Sequence, residues 1–207
     1  MHKAIWLDTI NQEKIIQYKK LTGGVSSEVY HVRTNKNNYC IKRSLKRLLV
    51  KKKWIANTNR IKFEYLWLKH CQNILKRNIP NTYEFNDKKK YIVMEYLKTS
   101  QYKTLKQLYF KRIININTIK LISKHLYKIH SNSSNYKTKK TFEGNYKNFY
   151  DLRLDPYFNE VGRVYPKYKE YIKKINENYI KNSSTLVHGD FSPKNILVDK
   201  NKIIYLD

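Results

Sequence analysis

The chain has 207 residues, of which 41% are hydrophobic and 29% charged, so it suits one domain or two small lobes that share a cleft. We find no stretch apolar enough to span a bilayer, and residues 1–14 lack the basic and apolar regions of a secretory signal. Cys40 and Cys71 show no metal-ligand spacing, which favours a reducing cytoplasm. Membrane-spanning and disulfide-rich secreted classes are therefore excluded.

Basic residues dominate the charge: 43 Lys and Arg stand against 16 Asp and Glu, a formal net charge of +27. Such a surplus can indicate nucleic-acid binding. The basic residues are nevertheless spread along the chain, with dense runs only at residues 46–53 and 88–90. We therefore expect a salt-sensitive, non-specific affinity for polyanions, and keep a basic nucleic-acid-binding domain as the least favoured alternative.

The first half of the chain is predicted to form strands and one long helix. Residues 1–18 are predicted as a short amphipathic helix with Asp8 or Thr9 as its N-cap. A second helical period covers about residues 57–76. Strands are predicted where short β-branched or aromatic runs lie between turn residues, at 20–22, 29–34, 39–44, 82–86 and 91–97.

The second half is predicted to be mainly helical. One helix is predicted over residues 103–131, and two more over 146–160 and 167–182, broken near Pro166. Short strands are predicted at the end, at 186–187, 196–198 and 203–206. This order predicts an α+β fold of two lobes: an N-terminal lobe of antiparallel sheet plus one helix over residues 1–97, and a mainly helical C-terminal lobe over 98–207.

The most informative segment is residues 188–195, with the sequence HGDFSPKN. Asp190 and Asn195 lie five positions apart, which is the catalytic-loop spacing of kinases. A carboxylate at Asp190 can accept a proton from an attacking hydroxyl, and Asn195 can bind a metal ion. Asp207 follows the next apolar run and supplies a second metal ligand. The alternative, that Asp190 is an ordinary turn or N-cap aspartate, is weakened by these two partners.

Residues 187–198 and 205–207 resemble the aminoglycoside phosphotransferase and choline kinase family, as do residues 21–30, 40–43 and 91–97 in the same order. The resemblance implies a protein-kinase-like fold and the transfer of the γ-phosphate of ATP, with Mg²⁺, to a hydroxyl of a small molecule. It makes Asp190 the catalytic base and Asn195 and Asp207 the metal ligands. Members of this family continue past the position of Asp207, so we expect the helical lobe of this chain to be incomplete, or truncated.

Small residues between the first two strands suit a loop that covers phosphates. Gly23 and Gly24 let backbone N–H groups approach the phosphates, and the hydroxyls of Ser26 and Ser27 add donors. An ordinary hairpin turn is the alternative reading. The presence of Lys42 on the following strand favours the phosphate loop.

Strand alternation places Cys40 and Lys42 on one face of the sheet. If that face lines the cleft, Lys42 neutralises the α- and β-phosphates while Cys40 and Val29 pack on the adenine. The alternative for Lys42 is one more exposed lysine. The resemblance also implies an acidic partner for Lys42 on the next helix, and Glu64 is the candidate; the alternative is a surface glutamate paired with a lysine of its own helix.

The resemblance implies that residues 93–97 meet the adenine where the lobes join. Backbone groups of Glu95 and Leu97 would bind the base edge, and Met94 would wall the pocket or simply fill the core.

Three further features leave alternatives open. His188 is interpreted as a core histidine that orders the loop rather than a chemical participant. Lys194 either contacts phosphate or faces solvent, and residues 148–157 either shape the acceptor pocket or pack helices. The lysine-rich helical lobe disfavours polycationic aminoglycosides, and a neutral or anionic hydroxyl metabolite is the expected acceptor. A nucleotide-binding pseudoenzyme is the main alternative to a kinase.

Overall fold

The computed structural model describes residues 7, 9–10, 12–22, 24–200 and 202–206. Three residues singled out from the sequence, Asp8, Gly23 and Asp207, lie outside this set. For them, the predictions made from the sequence stay predictions.

The N-terminal half is built on a six-stranded antiparallel sheet of strand order β1-β2-β3-β4-β6-β5. Its strands are β1 Thr9–Ile10, β2 Glu13–Leu21, β3 Ser27–Thr34, β4 Asn38–Ser44, β5 Thr82–Asn86 and β6 Tyr91–Glu95. Between the fourth and fifth strands runs helix α1, Arg60–Leu75. The predicted antiparallel sheet with one helix is thus confirmed. Four predicted strands match within two residues at each end, whereas the strand predicted at 20–22 begins seven residues earlier, at Glu13.

The helix predicted over residues 1–18 is wrong for the part that the structure describes. Thr9 lies in a strand rather than at an N-cap, and β2 pairs with β3 along most of its length. Glu13 explains part of the preference for a strand over a helix. Its buried carboxylate accepts hydrogen bonds from the hydroxyls of Thr34 and of Tyr39, the latter at 3.1 Å. Pairing with distant residues therefore overrides the local helical pattern.

Apolar side chains cover both faces of the six-stranded sheet. On one face Tyr30, Val32, Ile41 and Val93 pack together with Ile10 of the N-terminal strand. On the opposite face, Cys40, Ile92 and Met94 pack with α1 in a second cluster. This second face looks toward the helical half of the molecule, so it is the face on which a cleft can form.

The helical half differs from its prediction in where helices stop. Its helices are α2 Leu105–Phe110, α3 Ile116–Ser131, α4 Tyr136–Thr141, α5 Tyr146–Phe149, α6 Glu160–Val164 and α7 Lys169–Lys181. The single helix predicted over residues 103–131 is therefore wrong. Thr104 and Gln107 form a capping box that starts α2, Arg112 has a positive φ of 56°, and the Asn115 side chain caps α3. Each of these features ends or begins a helix within the predicted span.

A π-helix over Tyr150–Asn159 connects α5 to α6. The predicted break near Pro166 is confirmed, because a short 3₁₀ turn, Pro166–Tyr168, separates α6 from α7. Pro156 lies inside the π-helix, where the wider turn accommodates a residue that has no backbone N–H. Such π-segments are rare in proteins and occur often at functional sites.

A small three-stranded sheet closes the chain, in the order β7-β8-β9, with bounds Lys103–Thr104, Ile196–Asp199 and Lys202–Tyr205. The strand predicted at residues 186–187 is wrong: this pair is irregular, and 43% of Val187 is exposed. Ile196 and Tyr205 of the small sheet share one buried cluster with Ile122 of α3 and with α1. One apolar core therefore runs from the first half of the chain into the second, while the division into lobes at residues 97 and 98 stays a prediction.

Within this core, His125 should make stability depend on pH. Its Nδ1 lies 2.9 Å from the Tyr205 hydroxyl, and burial, helped by Lys128 and Lys124, lowers the pKa of His125 below its usual value. In the unfolded chain His125 takes up a proton near pH 6.5, whereas in the folded protein it does so only at lower pH. The free energy of unfolding therefore falls as the pH drops below about 6.5. The slope from this one group is at most about 1.4 kcal/mol per pH unit.

We therefore expect His125→Gln to flatten the loss of melting temperature between pH 7.5 and pH 5.5, measured by thermal denaturation. Between pH 7.5 and pH 8.5 the imidazole is neutral in both states, so the variant and the parent protein should keep a constant difference there. Equal slopes for both proteins below pH 7 would contradict the expectation.

Candidate active site

An ion pair between the sheet and α1 forms one wall of the cleft. Lys42 of β4 and Glu64 of α1 meet with 2.8 Å between Nζ and Oε1, and their side chains are only 10% and 16% exposed. Lys42 is thus a buried, paired lysine rather than a solvent-exposed one. A lysine held in one direction by a carboxylate can present its charge to a bound anion.

The register of the strands places the other predicted adenine contacts beside Lys42. Val29 is the cross-strand partner of Lys42, and Cys40 is the partner of Met94. These four residues share one face of the sheet because partners across a ladder point the same way. The structure therefore brings Val29, Cys40, Lys42 and Met94 to one face, and the shared face that strand alternation predicted for Cys40 and Lys42 is confirmed.

The loop before β3 is described from Gly24 onward. Gly24 is exposed, Ser26 is half-buried, and Ser27 is a buried residue that pairs with Ser44. A Cβ placed on Gly24 would lie 3.6 Å from the Ser27 carbonyl oxygen, an ordinary contact. Neither space nor a positive φ therefore requires glycine at this position, and its role toward phosphates stays a prediction.

The segment joining the two halves follows directly from β6. Glu95 ends the strand, and its backbone N–H donates to the Asn81 carbonyl at 2.8 Å. Its carboxylate accepts from the backbone and side chain of the same Asn81, both at 3.2 Å. Leu97 lies two residues beyond, half-buried and outside the strand. Glu95 is thus fixed to Asn81, and the roles of Glu95 and Leu97 toward adenine stay predictions.

His188 holds the catalytic-loop segment against the last strand. Its Nδ1 accepts the backbone N–H of Asp190 at 3.2 Å, and its Nε2 lies 2.9 Å from the carbonyl of Leu206. A carbonyl can only accept, so Nε2 carries a proton. Nδ1 accepts an N–H and therefore carries none, which makes the ring neutral. Both ring nitrogens are used in holding the backbone, which agrees with the interpretation of His188 as a histidine that orders the loop.

Asn195 is oriented by the same loop. Its Nδ2 donates to the Asp190 carbonyl at 3.0 Å, and its own carbonyl accepts the backbone N–H of Leu206 at 2.9 Å. The amide orientation leaves Oδ1 as a hard oxygen donor of the kind that Mg²⁺ binds. Both backbone groups of Leu206 are thus attached to the loop, immediately before Asp207 in the sequence.

Two cations contact the Asp190 carboxylate. Arg153 of the π-helix lies 3.2 Å from Oδ2, and Lys194 lies 2.9 Å from the same oxygen. Arg153 also donates through Nε to the Gly189 carbonyl at 2.7 Å. Gly189 has a φ of +77°, a conformation that glycine adopts without strain. Since both cations use Oδ2, Oδ1 remains for a proton-donating ligand.

Lys194, for which the sequence allows either a phosphate contact or exposure to solvent, contacts Asp190. The sequence does not single out Arg153, although Arg153 lies in the segment 148–157 that could shape the acceptor pocket.

A cavity of about 170 Å³ lies between the Lys42–Glu64 pair and the Asp190 loop. Several predicted nucleotide and metal contacts do not line it: Gly24, Val29, Cys40, Met94, Glu95, Leu97 and Asn195. Lys42, Glu64 and Asp190 all line it, together with Trp67 of α1 and Arg153. The Trp67 indole N–H is buried without a hydrogen-bond partner among the described residues. The ion pair of the first half and the carboxylate of the second half therefore face one space, which is large enough for a phosphoryl group and a reacting hydroxyl.

The described residues contain no group of three or more His, Cys, Asp and Glu side chains arranged to hold a metal ion. A magnesium site of the predicted kind does not need one, because Mg²⁺ is bound by few protein groups plus phosphate oxygens and water. Among the same residues, no helix has the length and apolar character needed to cross a membrane.

A family model described as fructosamine kinase matches residues 2–207, which is nearly the whole chain. A search of curated proteins gave no match. Among solved structures the fold is shared with a spectinomycin phosphotransferase, APH(9)-Ia, crystallised with ADP and spectinomycin (TM-score 0.51, 16% identity, covering 94% of this chain and 64% of that one). The small-molecule phosphotransferase fold that the sequence predicted is thereby confirmed.

Two further structures show the same fold. The choline kinase LicA from Streptococcus pneumoniae matches with a TM-score of 0.53 and 14% identity over 93% of this chain and 63% of that one. A putative fructosamine-3-kinase from Thermobifida fusca matches with a TM-score of 0.55 and 12% identity over 94% of this chain and 68% of that one. The chain thus spans less than two thirds of the length of the spectinomycin phosphotransferase and of the choline kinase.

Proposed function

We propose, since this chain belongs to the fructosamine kinase family, that it transfers the γ-phosphoryl group of ATP to a hydroxyl of a small molecule. The observation that carries the proposal is the shared cavity, into which the Lys42–Glu64 pair and the Asp190 carboxylate both face. Phosphoryl transfer depends chiefly on positioning and on neutralising charge, and these groups are suited to both tasks.

In the proposed reaction Asp190 accepts the proton of the acceptor hydroxyl through Oδ1. The hydroxyl oxygen forms a bond to the γ-phosphorus while the bond from that phosphorus to the β–γ bridging oxygen breaks. ADP leaves with the bridging oxygen, and the proton stays on the carboxylate until it passes to solvent. Lys42 neutralises phosphate oxygens of the nucleotide, and Arg153 keeps the Asp190 carboxylate in place through Oδ2.

Asn195 and Asp207 are the residues that would hold Mg²⁺. The orientation of the Asn195 amide fits this role, since Nδ2 is used by the Asp190 carbonyl and Oδ1 is left for the ion. Bound Mg²⁺ would neutralise charge on the phosphate oxygens during transfer.

The nucleotide base would lie on the sheet face that carries Val29, Cys40 and Met94. Glu95 and Leu97 would bind its edge through their backbone groups, and the loop that includes Gly23, Gly24, Ser26 and Ser27 would cover the phosphates.

The family's name makes a sugar linked to an amine the first acceptor to test. Such an acceptor is not a polycation, but its basic amine departs from the neutral or anionic metabolite expected from the sequence. The cavity itself contributes Lys42, Arg60 and Arg153 and only two carboxylates, both of them paired with cations, which disfavours a polycation.

We place this activity in a reducing, cytoplasmic setting. Neither cysteine forms a disulfide among the described residues, and burial raises the pKa of the Cys71 thiol to about 12, which leaves it un-ionised at neutral pH.

The proposal is tested by Mg·ATP binding and turnover in the parent protein and in Asp190→Ala. At 100 times its dissociation constant, ATP should add about 2.7 kcal/mol of stability, which is roughly 5–10 °C in melting temperature for a chain of this size. ATP consumption should require a fructosamine acceptor and Asp190. Stabilisation without turnover in both proteins would favour a pseudoenzyme. Salt-dependent oligonucleotide binding without any nucleotide effect would favour the nucleic-acid alternative.

A further inference from the structure

Arg60, the first residue of α1, is partly buried. Its guanidinium donates hydrogen bonds to three backbone carbonyls among the described residues. Nη1 donates to the Asn57 carbonyl at 2.7 Å, and Nη2 donates to the carbonyls of Leu45 at 2.7 Å and of Ser26. Burial lowers the pKa of this guanidinium, although an arginine remains charged at any physiological pH. A desolvated cation fixed by three carbonyls is costly to bury unless each hydrogen bond is kept.

The three carbonyls belong to three different segments. Ser26 closes the loop before β3, Leu45 follows β4, and Asn57 precedes α1. The first two segments are already joined, because the Leu45 N–H donates to the Ser26 carbonyl at 3.0 Å and the Leu49 N–H donates to the Val25 carbonyl at 2.8 Å. Arg60 adds α1 to this junction. The guanidinium serves the three carbonyls through two nitrogens of one planar fork, a spread of donors that the single nitrogen of an ammonium lacks.

Glu64 lies one helical turn after Arg60 on the same face of α1, and both side chains line the cavity. A movement of α1 would therefore shift the Lys42–Glu64 pair and the base of the Ser26 loop together.

We propose that Arg60 is a positioning residue that sets the phosphate-covering loop at a fixed distance from the Lys42–Glu64 pair. The proposal rests on the proposed function insofar as that function places nucleotide phosphates under this loop. In this proposal Arg60 acts through the Ser26 carbonyl and not by a contact of its own with the nucleotide.

The test compares two ligands, Mg·ATP and adenosine, on the full chain carrying Arg60→Gln or Arg60→Lys. Loss of a charged hydrogen-bond fork should weaken Mg·ATP about tenfold, whereas adenosine, which has no phosphates, should bind with unchanged affinity. Arg60→Lys should resemble Arg60→Gln, since an ammonium keeps the charge but cannot span three carbonyls. Binding is measured by calorimetry, so the result does not depend on turnover.

Arg33→Gln is the matched control, because it removes one positive charge from an exposed position of β3 in the same sheet. It should leave both affinities unchanged. Equal weakening of Mg·ATP and adenosine in the Arg60 variants, no weakening of either, or failure of both variants to fold would each overturn the proposal in favour of a purely structural arginine. Absence of Mg·ATP binding in the parent protein would instead overturn the proposed function.

Discussion

Replacing Asp190 with Asn should lower the rate of phosphoryl transfer by about a thousandfold, the middle of the range for removal of a general base. Asparagine keeps the shape of the side chain but cannot take the acceptor's proton. Mg·ATP should bind at least as tightly as in the parent protein, because a negative charge beside the phosphates has been removed. Turnover with saturating ATP and calorimetric binding give the two quantities separately.

Asp87→Asn provides the control for this prediction. Asp87 lies in the turn between β5 and β6 with 60% of its side chain exposed, paired with Lys90 at 2.8 Å. Its replacement should change the rate by less than about twofold, as for other exposed ion pairs. If Asp190→Asn keeps a tenth or more of the parent rate, another group must accept the proton and the assignment of Asp190 is wrong.

The residues of the candidate site that could be predicted from the sequence are those fixed by short-range geometry. The period of two along β4 is enough to put Cys40 and Lys42 on one face. Asp190 and Asn195 lie in one short loop, so the local sequence motif is enough to predict that they are close together. These positions need no knowledge of which distant elements meet.

Contacts between distant segments could not be predicted in the same way. Arg153 reaches Asp190 from a π-helix 37 positions earlier, and nothing in its local sequence separates it from the other 42 basic residues. Arg60 likewise looks like one more basic residue until three carbonyls converge on it. In a chain this rich in lysine and arginine, charge type carries little information, and burial decides which cations have a role.

The same reasoning explains why the helix predicted over residues 1–18 is wrong for the described residues of that range. A helical apolar period and a plausible cap were present, but the strand forms because β3 offers a ladder and because Thr34 and Tyr39 satisfy the buried Glu13 carboxylate. Long-range pairing of this kind is invisible to a local pattern.

Replacing Lys42 with Met should lower kcat/KM for ATP by about 100-fold, and Glu64→Gln should lower it by about tenfold. Lys42 supplies the positive charge itself, whereas Glu64 acts by holding that charge in one direction. The double variant should therefore resemble Lys42→Met alone rather than show the product of the two effects, since Glu64 has no lysine left to orient. Steady-state kinetics on the four proteins of this cycle measure the coupling.

Lys20→Met separates the effect of burial from that of pairing. Lys20 and Glu28 also lie 2.8 Å apart, but the Lys20 side chain is 51% exposed where that of Lys42 is 10% exposed. Water screens the first pair, so its loss should change kcat/KM by less than about twofold. The Lys42–Glu64 pair is shielded, and removal of either partner leaves the other poorly compensated in a nearly dry site. A double variant that loses about 1,000-fold would mean that Glu64 has its own contact with the nucleotide or its metal ion, and the idea that it works only through Lys42 would have to be abandoned.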